Sequence, residues 1–197
     1  MFKPVMEPQP ELPARLARDL DGSFAELVGA YQRLVFGLAL RVVADRADAE
    51  EVAQDTFARA YWALAGYPAE RVAAMRLRPW LAQIALNQAR NRLRRRPPPA
   101  RPLEDGDGQP LAVAAPAAAE PAAVAERGQD RELLVELLAA LPRGWREAVV
   151  LRHVEGLPYA EVAEVLGRPV GTVKTHVHRG VRQLREHLEA RTEGVPR

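Results

Sequence analysis

"GRPVGTVKTHVHRGVRQLR", residues 167–185, holds four Arg, one Lys and two His but no acidic residue. The whole chain is nearly balanced, with 28 basic against 26 acidic residues, so this segregation is local. On a helix turning about 100° per residue, Val170, Val173, Val177, Val181, Leu184 and Leu188 share one side. Gly171, Thr175, His178, Arg179 and Arg182 share the other, flanked by Lys174 and His176. One side packs; the other is basic and hydrogen-bonding. A shorter helical stretch, "PYAEVAEVLG" at 158–167, leads in through Gly167, Arg168 and Pro169, the compact joint of a helix-turn-helix. A second helix of this kind suits a major groove, where Arg and Lys read guanine edges and hydroxyls and imidazoles reach bases or phosphates. A solvated face on an ordinary bundle helix would explain the charge alone, but not the charge together with this joint and a second basic helix upstream. "GRPVGTVK" misses the Gly-x4-Gly-Lys-Ser/Thr spacing of a phosphate loop. His176 and His178 bring no third ligand with them, so no metal site is expected.

Hydrophobic residues make up 48% of the 197-residue chain while aromatics are only 6%, and Ala is abundant. That composition favours close-packed helices over a β-sandwich, and no alternating strand pattern occurs; the expected class is all-α. There is no cysteine, which excludes a disulfide scaffold, a thiolate metal site and a cysteine nucleophile. No apolar run suits a signal peptide or a membrane span, so a cytoplasmic protein without membrane insertion is expected. Of the 28 basic residues 26 are Arg, and with so much Ala and Pro part of this preference reflects a GC-rich coding bias.

Residues 97–126 carry seven Pro and ten Ala among 30 and no aromatic. Repeated Pro forbids a regular helix and the Ala-rich remainder buries too little to fold. This reads as a flexible linker between two small helical domains, 22–96 and 127–190, with an N-terminal extension at 1–21 and a tail at 191–197.

In the first block Ser23 and Glu26 have capping-box spacing, and Phe24, Leu27, Val28, Tyr31, Leu34, Val35 and Leu38 recur at helical period. Asp48 and Glu51 repeat the box ahead of a second helix with a Val52, Phe57, Ala60, Leu64 stripe. Residues 65–79 read as a loop with one short turn. "WLAQIALNQARNRLRRR", 80–96, is a third helix, stopped by triple proline. Its Gln83, Asn87, Arg90 and Arg94 lie opposite Leu81, Ile84, Ala85 and Gln88. Asn and Gln among arginines favour base and phosphate contact over a merely solvated face, and Tyr67 in the preceding loop could stack on an unpaired base. On the second helix the charge reverses: Glu50, Glu51, Gln54 and Asp55 sit together with little base nearby. Such a face is useless for DNA; it is solvated or meets a basic protein partner. The second block reads as four helices, the third beginning at Pro158.

At these residues the chain resembles the extracytoplasmic-function (ECF) class of sigma-70 family RNA polymerase sigma factors. "ADAEEVAQDTFARAYWAL" resembles the region 2.2 helix, "RPWLAQIALNQARNRLRRR" regions 2.3–2.4, and "LPRGWREAVVLRHVEGLPYAEVAEVLGRPVGTVKTHVHRGVRQLR" region 4. The resemblance implies that Glu51, Gln54 and Asp55 dock on the β′ clamp of core polymerase, with region 4 meeting the β flap. It implies that Asn87 and the Tyr67 loop hold an unstacked base of the −10 element, with Gln83, Arg90 and Arg94 adding contacts. Lys174, Thr175, His178 and Arg179 would read the −35 element, with Arg168, Thr172 and Arg182 beside them and Arg152 on phosphate. An anti-sigma factor and a stress response are implied in the same way. No cofactor is. Pro158 stands where family members usually carry Ser or Thr, Gly180 where they carry Ala, and His176 where they carry Arg; Gly180 is expected to cost about 1 kcal/mol of helix stability.

Two duplex turns span about 70 Å, and thirty Pro-rich extended residues reach about 90 Å, so one chain can hold both elements. The expected role is therefore a dissociable specificity subunit that performs no covalent chemistry. A stand-alone helix-turn-helix regulator is the alternative, although the first block lacks a receiver-like βαβ pattern. An enzyme finds less support: the four His are scattered and no carboxylate–histidine arrangement emerges.

Overall fold

The computed structural model describes residues 11–95 and 133–193, among which all regular structure is helical. The 97–126 stretch lies outside the described residues.

α1 (Leu12–Arg18) and α2 (Leu20–Val43) meet at Asp19, whose carboxylate accepts from the Gly22 amide at 2.9 Å and caps α2. The expected start at Ser23 is thereby corrected. Ser23 is buried inside α2, and Glu26 pairs with Arg15 of α1 instead of closing a capping box. The same shift recurs at α3 (Arg46–Ala65): Asp45 is the cap, accepting from the Asp48 amide at 2.9 Å. Asp48 points inward and accepts from Arg92 Nε at 2.8 Å. Between the two helices Ala44 closes α2 at φ 56°, its N–H donating to Leu40 O at 2.8 Å. A left-handed Ala costs roughly 1–2 kcal/mol, here offset by a satisfied helix end.

α4 (Ala69–Ala73) is the short turn inside the 65–79 loop. α5 (Leu77–Arg95) starts three residues before the expected Trp80, because Pro79 fits a first turn that needs no amide hydrogen there. Leu27, Tyr31, Val35 and Leu38 of α2 are buried, as are Val52, Ala60 and Leu64 of α3 and Leu81, Ala85 and Leu86 of α5. These three helices pack on one another, each large side chain contributing about 1.5–3 kcal/mol. α1, within the stretch expected to be an extension, buries Leu12 and Leu16 and packs on α4 and α2.

In the second block α6 occupies residues 133–139. α7 (Arg143–Val149) then runs on into a π-helical turn, Val150–Val154, closed by Glu155 N–H to Val150 O at 2.9 Å. The widened turn brings Glu155 to a buried position. α8 (Tyr159–Leu166) ends on Gly167 at φ 62°, a left-handed cap that a side chain would strain. α9 (Val170–Glu193) follows.

Gly180 of α9 is buried against α7: a Cβ there would meet Val149 Cγ2 at 2.6 Å and Trp145 Cβ at 3.4 Å. The expectation that Gly180 only weakens its helix is corrected, since it lets α9 approach α7.

Candidate functional site

On α9 the packed stripe is shorter than the sequence pattern suggests. Val173 and Val177 are buried and Val181 and Leu184 half-buried, whereas Val170 and Leu188 are exposed. Lys174, Thr175, His178, Arg179 and Arg182 are exposed, Thr172 is half-buried, and Arg168 is exposed in the joint. Aromatic rings underlie the cations. Arg179 lies 5.9 Å from the Trp145 ring centre, and Lys174 and Arg152 lie 5.8 and 4.7 Å from that of Tyr159. Such pairs restrict flexible stems without neutralising the charge. Thr175 Oγ1 donates back to Gly171 O at 3.0 Å, within its own helix. Arg152 Nη1 donates to Leu157 O at 3.0 Å, so here the guanidinium secures the turn before α8. His176 is half-buried, its imidazole beside Gly144.

On α5, Gln83 and Asn87 are exposed and Gln88 is buried, as the helical wheel requires. Tyr67 is half-buried under Arg71, 3.7 Å from its ring centre, with Trp80 6.5 Å away. Arg94 donates to Asn91 at 2.9 Å. Arg90 reaches the other block, donating through Nε and Nη2 to the two carboxylate oxygens of Glu147 at 3.0 and 2.7 Å. Burial alone would raise the Glu147 pKa, but hydrogen bonds from Arg90 and Arg143 outweigh it and hold the carboxyl below its usual range.

The acidic face of α3 exposes Glu51, Gln54 and Asp55. It is less isolated than its sequence suggests: Arg46 bonds Glu50 at 3.1 Å, and Arg92 of α5 pairs with both Asp48 and Glu51. Trp62 on the same helix is 73% exposed, a feature the apolar pattern did not single out.

The two blocks meet along a seam that joins their buried apolar residues in one cluster and carries several polar contacts. Besides Arg90–Glu147, Arg76 pairs with Glu161, Arg78 donates to Glu155 O, and Arg146 donates to Val42 O at 2.8 Å. A crevice of about 260 Å³ between α5 and α8 is lined by Pro79, Trp80, Gln83, Glu164 and Val165 among others. Gln83 and Arg90 therefore lie at the seam, while the exposed cations of α9 lie outside it.

Two family models match: Sigma-70 region 2 over residues 27–97 and Sigma-70 region 4 over residues 131–184. The chain is 32% identical to the RNA polymerase sigma-H factor of Pseudomonas aeruginosa over 93% of its own length and 95% of that protein's. It is 30% identical to the ECF RNA polymerase sigma-E factor of Haemophilus influenzae, over 85% of this chain and 88% of that one. The chain belongs to the extracytoplasmic-function sigma factors. Among solved structures it resembles CnrH in complex with the cytosolic domain of CnrY, at a TM-score of 0.66 and 26% identity, covering 92% of this chain and 99% of that one. As a sigma factor it divides as the family models do, α2–α5 in region 2 and α6–α9 in region 4. Among the described residues no helix is long and apolar enough to cross a membrane.

Proposed function

We propose that this sigma factor joins core polymerase through the α3 face of Glu51, Gln54 and Asp55, applied to the β′ clamp, with region 4 on the β flap. Gln83, Asn87, Arg90 and Arg94 on α5, with the Tyr67 loop, take the −10 strand. Lys174, Thr175, His178, Arg179 and Arg182, with Arg168 and Thr172, take the −35 duplex. Arg152 contributes to that surface through the turn it braces. The protein works in the cytoplasm, performs no covalent chemistry, and is held in check by an anti-sigma factor. A complex between the relative CnrH and the cytosolic domain of CnrY supports a protein partner of that kind.

The observation that carries this reading is a division of labour among exposed faces. The amide side chains of Gln83 and Asn87 are exposed on α5 and cations on α9, while the exposed carboxylates of α3 would repel DNA. Run-off transcription with core polymerase tests it. Initiation at defined promoters only when the chain is added is expected; duplex binding without initiation would favour a stand-alone regulator.

A further inference from the structure

We propose that α1 is a positioning element for the −10 loop: it fixes α4, and through α4 the pose in which Tyr67 meets an unstacked base. The inference rests on the assignment of Tyr67 to the −10 strand. α1 lies ahead of residue 27, where the match to region 2 begins, yet Leu12 and Leu16 are as deeply buried as the core of α2. What they support is α4. That helix has five residues, of which Ala69, Glu70, Arg71 and Ala73 are exposed and only Val72 is buried. A helix so short does not hold itself in water, so its place is set by what it leans on, and it packs chiefly on α1. α1 in turn is moored to α2 by the Asp19 cap and by the Arg15–Glu26 pair.

α3 gives the loop little further support. Between α1, the end of α3 and α4 opens a crevice of about 460 Å³, lined by Leu16, Tyr61, Leu64, Tyr67 and Val72 among others. Open space supplies no contacts, so the loop bridges from α3 to α5 with α1 as its prop. Tyr67 is tied to α4 at short range. It directly precedes Pro68, which opens α4, and the Arg71 guanidinium one turn later lies 3.7 Å from its ring centre. The Trp80 ring of α5, the helix that also carries Asn87, lies 6.5 Å away. Tyr67 thus sits between one partner fixed by the core of region 2 and one whose place α1 sets. Stacking needs the ring laid flat against the base. A shift of α4 therefore weakens base capture without altering any residue that contacts DNA.

The test uses the full chain bound to core polymerase, titrated against active molecules with a single-stranded −10 oligonucleotide and, separately, a −35 duplex. Leu16→Ala should weaken single-strand binding about threefold to tenfold, a part of what one stacked base contributes, and leave the −35 duplex unchanged. The loss should vanish when the captured base is replaced by an abasic site, found by scanning one position at a time. A merely structural role lowers the number of active molecules and cannot single out one base. Val35→Ala in the α2 core is the control, lowering the unfolding midpoint by a similar amount without that signature. Leu16→Val is the milder substitute if Leu16→Ala fails to fold, and Leu16→Met, which conserves volume, should bind as wild type does. Amide exchange on the free chain is the second readout. The Val72 and Ala74 amides, bonded to Pro68 O and Glu70 O, should exchange about tenfold faster in the variant while those of α5 keep their rates. Unchanged exchange there, or a strand loss that persists at every abasic position, would overturn the proposal. So would unchanged strand binding by the α1 variants when Tyr67→Ala weakens it. If Tyr67→Ala itself binds the strand as wild type does, the −10 assignment of Tyr67 falls, and the amides alone decide whether α1 holds α4.

Discussion

Gly180 and Val149 are in such close register that a single methyl on the glycine would come within 2.6 Å of Val149 Cγ2. Val149 is buried and β-branched, so it cannot swing aside cheaply. Gly180→Ala therefore sets two effects against each other. Helix propensity favours Ala by about 1 kcal/mol, and overpacking disfavours it by about 1–3 kcal/mol. We expect a net loss, read as a lower unfolding midpoint by circular dichroism. Gly180→Ala combined with Val149→Ala should lose less than the sum of the two single changes, because the cavity accepts the methyl. A rise in midpoint for Gly180→Ala alone would show that the contact relaxes freely.

Gln54→Lys with Asp55→Lys should weaken core-polymerase binding by at least about tenfold, through like-charge opposition to a basic partner. Both side chains are exposed, so folding should be little affected. Glu51 makes a poorer probe, because its carboxylate also pairs with Arg92. Unchanged affinity in a core titration, with normal helicity, would remove α3 from the polymerase interface.

Burial pushes the Glu155 carboxyl up to about 7, and Arg41 and Arg78 only partly offset it. Between its ordinary pKa and about 7 the folded chain keeps a proton that the unfolded chain has lost. Stability should therefore fall as pH rises through that window, by about 3 kcal/mol in all, and level off above it. Glu147 has the opposite sign: its lowered pKa gives stability above the usual carboxylate range that is lost on acidification. Glu155→Gln should flatten the slope between about pH 4.5 and 7 relative to wild type. Parallel pH profiles for the two proteins, from thermal melts, would show that Glu155 ionises freely.

Much of this was legible from residue order. The buried Leu27, Val35, Leu81 and Val173 were readable because packing against a core repeats every 3.6 residues. Gly167 was readable as the end of α8 because few other residues enter the left-handed region. The starts of α2 and α3 were misread by three or four residues, since Asp19 and Asp45 compete as caps with Ser23 and Asp48 and only burial separates them. The π turn at Val150–Val154 carries no local signature. The seam was illegible for a deeper reason. Arg90 and Glu147 lie 57 positions apart, and nothing in either helix's periodicity names its partner. Arg90 looked like a free DNA contact because a wheel records which side a residue faces, not what faces it.

Arg179 offers the sharpest test of the −35 surface. Its side chain is exposed in the third turn of α9, with Thr175 and His178 beside it and the Trp145 ring beneath its guanidinium. The first turns of a recognition helix lie deepest in the groove, and the ring holds the flexible stem partly in place before DNA arrives. Both features favour base reading over loose phosphate contact. Arg179→Ala should then cost about 1–3 kcal/mol on the cognate −35 sequence and relax preference at one base pair. A phosphate contact would instead weaken every sequence alike and reduce the salt slope by about one unit. Trp145→Leu is the companion variant, removing the aromatic platform while keeping an apolar side chain there. If the platform preorganises Arg179, it should lower affinity for the cognate site without relaxing base preference. Selection from a library of randomised −35 duplexes by the polymerase-bound chain reads both effects. An unaltered preference profile for Arg179→Ala would refute base reading by this residue.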